Sequence, residues 1–130
     1  CTPMPLYLVR KLAFELTESR PKRAGLDYWD KLHIERVDRI EELTSRFDAY
    51  KFFYFSSKAT RSYSDVSYPS DAFLVFGKET KGLPPELIAA NPTRAVRIPM
   101  RPLLRCLNLS NSVAIAAYEA LRQHDFFGMK

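Results

Sequence analysis

The chain has 130 residues, is 46% hydrophobic and 27% charged, and carries 20 Lys and Arg against 15 Asp and Glu, a net charge of +5. That size and balance fit one globular domain with a real core and exclude a disordered chain. No apolar run approaches the roughly 20 residues of a membrane helix, and the surplus of positive charge suits a polyanionic partner as well as it suits an ordinary basic protein.

Residues 5–9 (PLYLV) read as a short apolar strand. Residues 1–16 have early prolines and scattered charges, unlike a secretory signal. The chain opens on Cys1 rather than Met, so a preceding segment is expected to have been trimmed or left out. A short helix is expected at 17–23, interrupted by Pro21 and followed by a turn at Gly25. Arg20, Lys22 and Arg23 are concentrated close to Tyr28 and Trp29. Cations beside aromatics suit phosphate contact and base stacking, and equally a solvated loop with two aromatics in the core.

HIERV at 33–37 reads as a brief strand. Residues 38–47 read as a helix, with Ile40, Leu43 and Phe47 on one face, Asp38 as N-cap and Glu41 closing a capping box. KFFYFS at 51–56 reads as a strand buried on both faces and FLVF at 73–76 as the next buried strand, with a polar, turn-rich segment at 57–71 between them. One more short turn of structure is expected within 60–66. Pro84 and Pro85 open a short helix at 86–90 that Asn91-Pro92 stops. AVRIPM at 95–100 reads as the last strand, ended by Pro99. A final helix, capped by Asn108 or Ser110, runs to about Gln123 with Val113, Ala117, Tyr118 and Leu121 along one face. Alternating strands and helices predict an α/β fold with a mostly parallel sheet.

Two loops stand out. Gly77-Lys78-Glu79-Thr80-Lys81-Gly82-Leu83 follows a buried strand, where glycines let a ligand approach the backbone and where open α/β sheets place ligands. It matches neither a P-loop nor a dinucleotide fingerprint, and a plain strand-to-helix connection remains open. Leu107-Asn108-Leu109-Ser110-Asn111-Ser112 offers more polar groups than one cap requires, at a positive helix end. Ala114, Ala116, Ala117 and Ala120 make the last helix slim enough to pack closely on the domain or on a second subunit. Cys1 and Cys106 lie far apart without His or Cys at ligand spacing, which argues against a zinc site and a disulfide framework. A reducing compartment, the cytoplasm or an organelle, is the expectation. His33 and His124 are expected to be surface or partly buried histidines without a role.

Taken together, Phe76 to Pro84 (FGKETKGLP), Ile98-Pro99-Met100, Asn108 to Val113 (NLSNSV) and Tyr118 to Gln123 (YEALRQ) resemble the SPOUT superfamily of RNA methyltransferases. They are most similar to its tRNA wobble-position (cytidine/uridine-34) 2′-O-methyltransferases, as is Arg23 to Tyr28 (RAGLDY). The resemblance spans essentially the whole chain, motifs in order. It implies a single domain over 1–130, a C-terminal trefoil knot, and a knot and cofactor region at about 73–123. It further implies S-adenosylmethionine as cofactor, a homodimer, and tRNA as substrate through its anticodon stem-loop, with no membrane and no metal.

By position, the resemblance puts cofactor contacts at Phe55, Gly77, Ile98 and Cys106, with Leu83, Met100, Leu107 and Asn111 walling the pocket. Glu79, Asn111 and Tyr118 are the candidate catalytic residues, the tyrosine matching one near the family's active site and dimer contact. Arg20, Lys22, Arg23 and Tyr28 are the candidate RNA contacts. The family's N-terminal strand and its Asn-Thr-Gly-Asn…Arg motif, whose arginine matters for catalysis, are not in this sequence; they are expected in a segment before Cys1. Cys106 stands where relatives have Ser. Two other readings are a non-catalytic RNA-binding relative or fragment, and a methyltransferase of ribosomal RNA.

Overall fold

The computed structural model describes residues 2–9, 31–102 and 106–130. The expected helix at 17–23 and the cluster of Arg20, Lys22, Arg23 and Tyr28 lie outside the described residues. The chain divides into two compact units, Cys1–Phe47 and Asp48–Lys130.

In the first unit, β1 (Leu6–Val9) pairs in parallel with β2 (Ile34–Val37), Leu6 opposite Ile34 and Val9 opposite Val37. Helix α1 (Ile40–Arg46) follows. Its start differs from the sequence expectation by one residue. The N-cap is Arg39, and the closing acid is Glu42, whose Oε1 accepts from the backbone N–H of Arg39 at 3.1 Å and of Asp38 at 3.2 Å. Arg39 is still extended, so the first helical turn begins at Ile40 and the acid three residues past the cap is Glu42 rather than Glu41. Leu43 is the buried residue of this helix. Arg46 donates to the Glu35 carboxylate, and that guanidinium holds the Glu35 carboxyl below its usual range.

The second unit is built on a parallel sheet. Its strands are β3 (Phe52–Phe55), β4 (Arg61–Ser62), β5 (Phe73–Phe76) and β6 (Ala95–Arg97), in the spatial order β4-β6-β3-β5. The short turn expected within 60–66 is the 3-10 turn Tyr63–Asp65, which follows β4 directly. Every residue of β3 is buried, as suits the central strand between β6 and β5, with Phe53 and Phe55 packed in one cluster with Ala116 and Ala120 of the last helix. The sequence predicts a buried β5, but that strand is intermediate throughout, as suits an edge strand. The register sets aromatic on aromatic: Phe52 stacks on Phe73 with centroids 4.4 Å apart, and Phe55 on Phe76 at 4.8 Å.

Helix α2 (Pro85–Ala89) is capped by Pro84, with Pro85 at the first helical position. Helix α3 (Leu109–Arg122) packs on β5. Its buried face is Ala116, Ala117, Ala120 and Leu121. Val113 and Tyr118, expected on that face, are 38% and 48% exposed. The alanines let the helix lie close to the sheet, and Tyr118 falls on the opposite side of the turn from Ala116. Phe53, Phe55, Val66, Tyr68, Val96, Ala116 and Ala120 form one core cluster between sheet and helix. Among the described residues, no helix is long and apolar enough to cross a membrane.

Candidate functional site

Three adjacent parallel strands end at one place. β3 stops at Phe55, β5 at Phe76 and β6 at Arg97, and Phe55, Phe76 and Ile98 floor a cleft of about 540 Å³ beyond those ends. Strands pointing the same way in a sheet bring their outgoing loops to a common edge, so the cleft follows from the topology. The chain from Ser56 to Lys58 forms one wall, the loop from Gly77 to Leu83 a second, and Met100 with Cys106 to Leu109 and Ser112 a third. Its volume falls in the range of a small-molecule site.

The loop after β5 closes on itself. Gly82 N–H donates to Lys78 O at 2.7 Å, and the two residues form an antiparallel bridge. Gly82 has φ +66°, a left-handed turn conformation suited to glycine. Gly77 is glycine for a different reason: a Cβ there would lie 2.0 Å from Gly82 C and 2.2 Å from Leu83 N. The close approach that excludes a side chain at 77 is therefore the loop's own return, where the sequence suggested a ligand. Leu83 is 7% exposed and anchors the loop's end.

The second loop enters α3 through a local network. Asn108 Oδ1 accepts from Ser110 N–H at 2.9 Å and from Ser110 Oγ at 2.6 Å, and Ser112 Oγ donates to Asn108 O at 3.1 Å. Asn108 is thus the cap, and three of the four polar residues that seemed surplus are used at the helix start. Leu107 N–H donates to Met100 Sδ at 3.5 Å, tying this loop to the segment after β6. Cys106 is an exposed free thiol in the cleft wall.

Of the sequence candidates, Phe55, Gly77, Glu79, Leu83, Ile98, Met100, Cys106 and Leu107 line the cleft. Asn111 and Tyr118 do not; both are exposed on α3. Sequence reasoning passed over Ser56, Ser57 and Lys58, which line the cleft from the loop after β3. Their signal was present: a polar turn directly after a buried strand, as in the other two walls. His33 is exposed, and His124 is part-buried with Nε2 2.8 Å from Tyr68 O. Among the described residues, no three His, Cys, Asp or Glu side chains are grouped to hold a metal.

The apolar floor of Phe55, Phe76 and Ile98 can take a planar base or an aliphatic chain, and the polar loops can orient what lies on it. The formal charge of the lining is positive, from Lys58, Lys78 and Lys81 against Glu79.

Known proteins are similar to this chain in sequence and in architecture. Residues 4–118 match the SpoU rRNA Methylase family. A Listeria innocua protein provisionally named a tRNA (cytidine(34)-2′-O)-methyltransferase is 45% identical over 124 residues, covering 93% of this chain and 73% of its own length. The tRNA (cytidine(34)-2′-O)-methyltransferase of Methylovorus glucosotrophus is 40% identical over 124 residues, 95% of this chain and 80% of that protein. A solved structure described in terms of 2-OH methylation of C/U34 on tRNA superimposes with a TM-score of 0.83 at 36% identity, covering 95% of this chain and 80% of that one.

Proposed function

The chain belongs to the SpoU rRNA Methylase family, and from that premise we propose that it is an S-adenosylmethionine-dependent methyltransferase acting on the ribose 2′-hydroxyl of tRNA nucleotide 34. The observation that carries the reading is the cleft beyond β3, β5 and β6, in a chain 40% identical to an enzyme of that name. The cleft fits the cofactor chemically: an aromatic and aliphatic floor for a nucleoside, and hydroxyl and amide groups from three loops around it. Phe55, Gly77, Leu83, Ile98, Met100, Cys106 and Leu107 would hold it there.

S-adenosylmethionine, when bound, supplies an electrophilic methyl on a sulfonium. Transfer to a ribose hydroxyl would need acceptor and donor held in line ~3 Å apart by the loops around the cleft, and alignment of that kind supplies several kcal/mol. The hydroxyl must also lose its proton. Among the described residues, Glu79 is the carboxylate that lines the cleft, and we assign it to orienting the substrate and loop.

Asn111 and Tyr118 we place across a homodimer. Asn111, Ala114 and Tyr118 recur at i, i+3 and i+7 and are all exposed, so they share one outward stripe of α3. The small Ala114 between them leaves room for a second helix. A C-terminal trefoil knot and anticodon-arm contacts from Arg20, Lys22, Arg23 and Tyr28 complete the reading.

Transfer of labelled methyl to unmodified tRNA, followed by mapping of the modified nucleotide, tests it. Label at the 2′-oxygen of nucleotide 34 is the expected result. Retained tRNA binding without transfer would sink the enzyme reading.

A further inference from the structure

Lys58, Lys78 and Lys81 are three exposed ammonium groups on the rim of the cleft, from two separate loops. None of the three side chains has an ion pair or a hydrogen bond among the described residues, whereas Lys51, also in this unit, is held by Asp71. Glu79 is the acidic residue of the same rim. From this arrangement we propose that Lys58, Lys78 and Lys81 form a phosphate clamp that holds the RNA backbone beside the nucleotide to be methylated.

The inference rests on the methyltransferase reading and assigns to these three residues a role in substrate binding. Charge is the reason. The cofactor brings a sulfonium and an ammonium against a single carboxylate, a net cation that three lysines do not complement. Unpaired cations gathered around a cleft for a cationic ligand are complementary to something else that enters it, and a polyanion offsets their mutual repulsion. A phosphodiester chain carries one negative charge per nucleotide, so successive phosphates of a single-stranded loop can meet separate lysines.

The presentation is firm as well as cationic. Lys78 and Lys81 sit on the loop that closes through the Gly82 to Lys78 hydrogen bond, and the loop's return packs against the backbone at Gly77. Lys58 stands on a turn where its own N–H donates to Ser56 Oγ at 3.2 Å. The backbone on both sides of the cleft is thus held by local bonds, which reduces the ordering cost of closing on a flexible RNA strand.

The test compares wild type with K58Q, K78Q and K81Q, singly and combined, and with the three Lys→Arg variants. tRNA affinity is measured across a range of salt, and S-adenosylhomocysteine affinity by calorimetry without RNA. The combined Gln variant should flatten the slope of log affinity against log salt by about 2, at ~0.7 for each single-strand phosphate that no longer meets a cation. It should bind S-adenosylhomocysteine within about twofold of wild type, and the Arg variants should keep the wild-type slope. An unchanged slope in the combined Gln variant overturns the clamp, even where wild type methylates tRNA normally. A tenfold loss of S-adenosylhomocysteine binding with RNA binding intact also overturns it, and gives the lysines to the cofactor's carboxylate. Salt-dependent tRNA binding that follows the lysines, in a protein that transfers no methyl, keeps the clamp and removes the enzyme reading. Failure of wild type to bind tRNA removes both.

Discussion

Gly77 and Gly82 close one loop, and replacing each should fail differently. Alanine at 77 would drive its Cβ against backbone atoms 2.0 and 2.2 Å away, which cannot yield as a flexible side chain could. Gly77→Ala should cost about 3 kcal/mol, the upper range for forcing an extra carbon into a packed site, and should abolish cofactor binding. Gly82→Ala meets nothing within 4 Å but keeps a φ of +66°, so its cost is that of a left-handed alanine, about 1 kcal/mol. Urea unfolding of the two variants checks the order; equal costs would contradict the closed-loop account. Asn111 separates from its neighbours at the same scale. Asn108, Ser110 and Ser112 bond to one another at the helix start, while Asn111 stands exposed outside that network. Asn111→Ala should therefore leave thermal stability unchanged and reduce methyl transfer sharply, whereas Asn108→Ala should cost about 1 kcal/mol of stability by removing the cap. Unaltered turnover in Asn111→Ala would remove it from the reaction.

The element that joins most of the second unit is α3, and its C-terminal end is fastened by Gln123. Gln123 Nε2 donates to Val66 O at 3.0 Å and to Glu119 Oε1 at 2.9 Å, and Gln123 Oε1 accepts from Tyr68 N–H at 2.9 Å. One amide therefore satisfies two backbone groups of the segment before β5. Gln123→Ala leaves both without that partner and should cost about 2 kcal/mol, measured by urea unfolding. Glu119 belongs to the same network. Arg122 donates to it at 2.8 and 2.9 Å, and this guanidinium, followed by the Gln123 amide, holds the Glu119 carboxyl below its ordinary value of 4.5. A carboxyl lowered in the folded state contributes stability that is fully present above 4.5 and lost as pH falls through the folded value. Glu119→Gln should therefore lower stability at neutral pH and flatten the acid limb below 4.5, where the difference from wild type closes. Superimposable acid limbs in wild type and variant would refute the coupling.

At the scale of the molecule, the cleft belongs wholly to the second compact unit, Asp48–Lys130. The outward stripe of α3 is available to a second copy, which the proposed homodimer requires. Ala114→Arg places a long cation on that stripe at an exposed position, so the fold should persist while the assembly falls from two chains to one chain of 15.0 kDa by sedimentation. A wild type that already sediments as one chain would leave Asn111 and Tyr118 without the partner the reading gives them. Arg23→Ala should weaken tRNA binding and lower its salt slope by ~0.7, the equivalent of one phosphate; an unaltered slope would take Arg23 out of the interface.

The strand and helix pattern was legible in the residues themselves. Apolar runs such as FFYF and FLVF read as strands, and the double proline at 84 and 85 suits the helix start found there. The two ligand loops were also visible, because each follows an apolar run and carries its glycines or its amides and hydroxyls in a few residues. What local pattern leaves open is which groups spend themselves on one another. The Asn108 network and the return of the loop onto Gly77 turned apparent ligand groups into structural ones, since hydrogen bonds and close approach depend on where a chain comes back to itself. Strand order decided the rest. Only the arrangement β4-β6-β3-β5 makes β5 an edge, buries β3 on both sides and brings Lys58 to the same cleft as Lys78 and Lys81, which lie on a different loop far along the sequence.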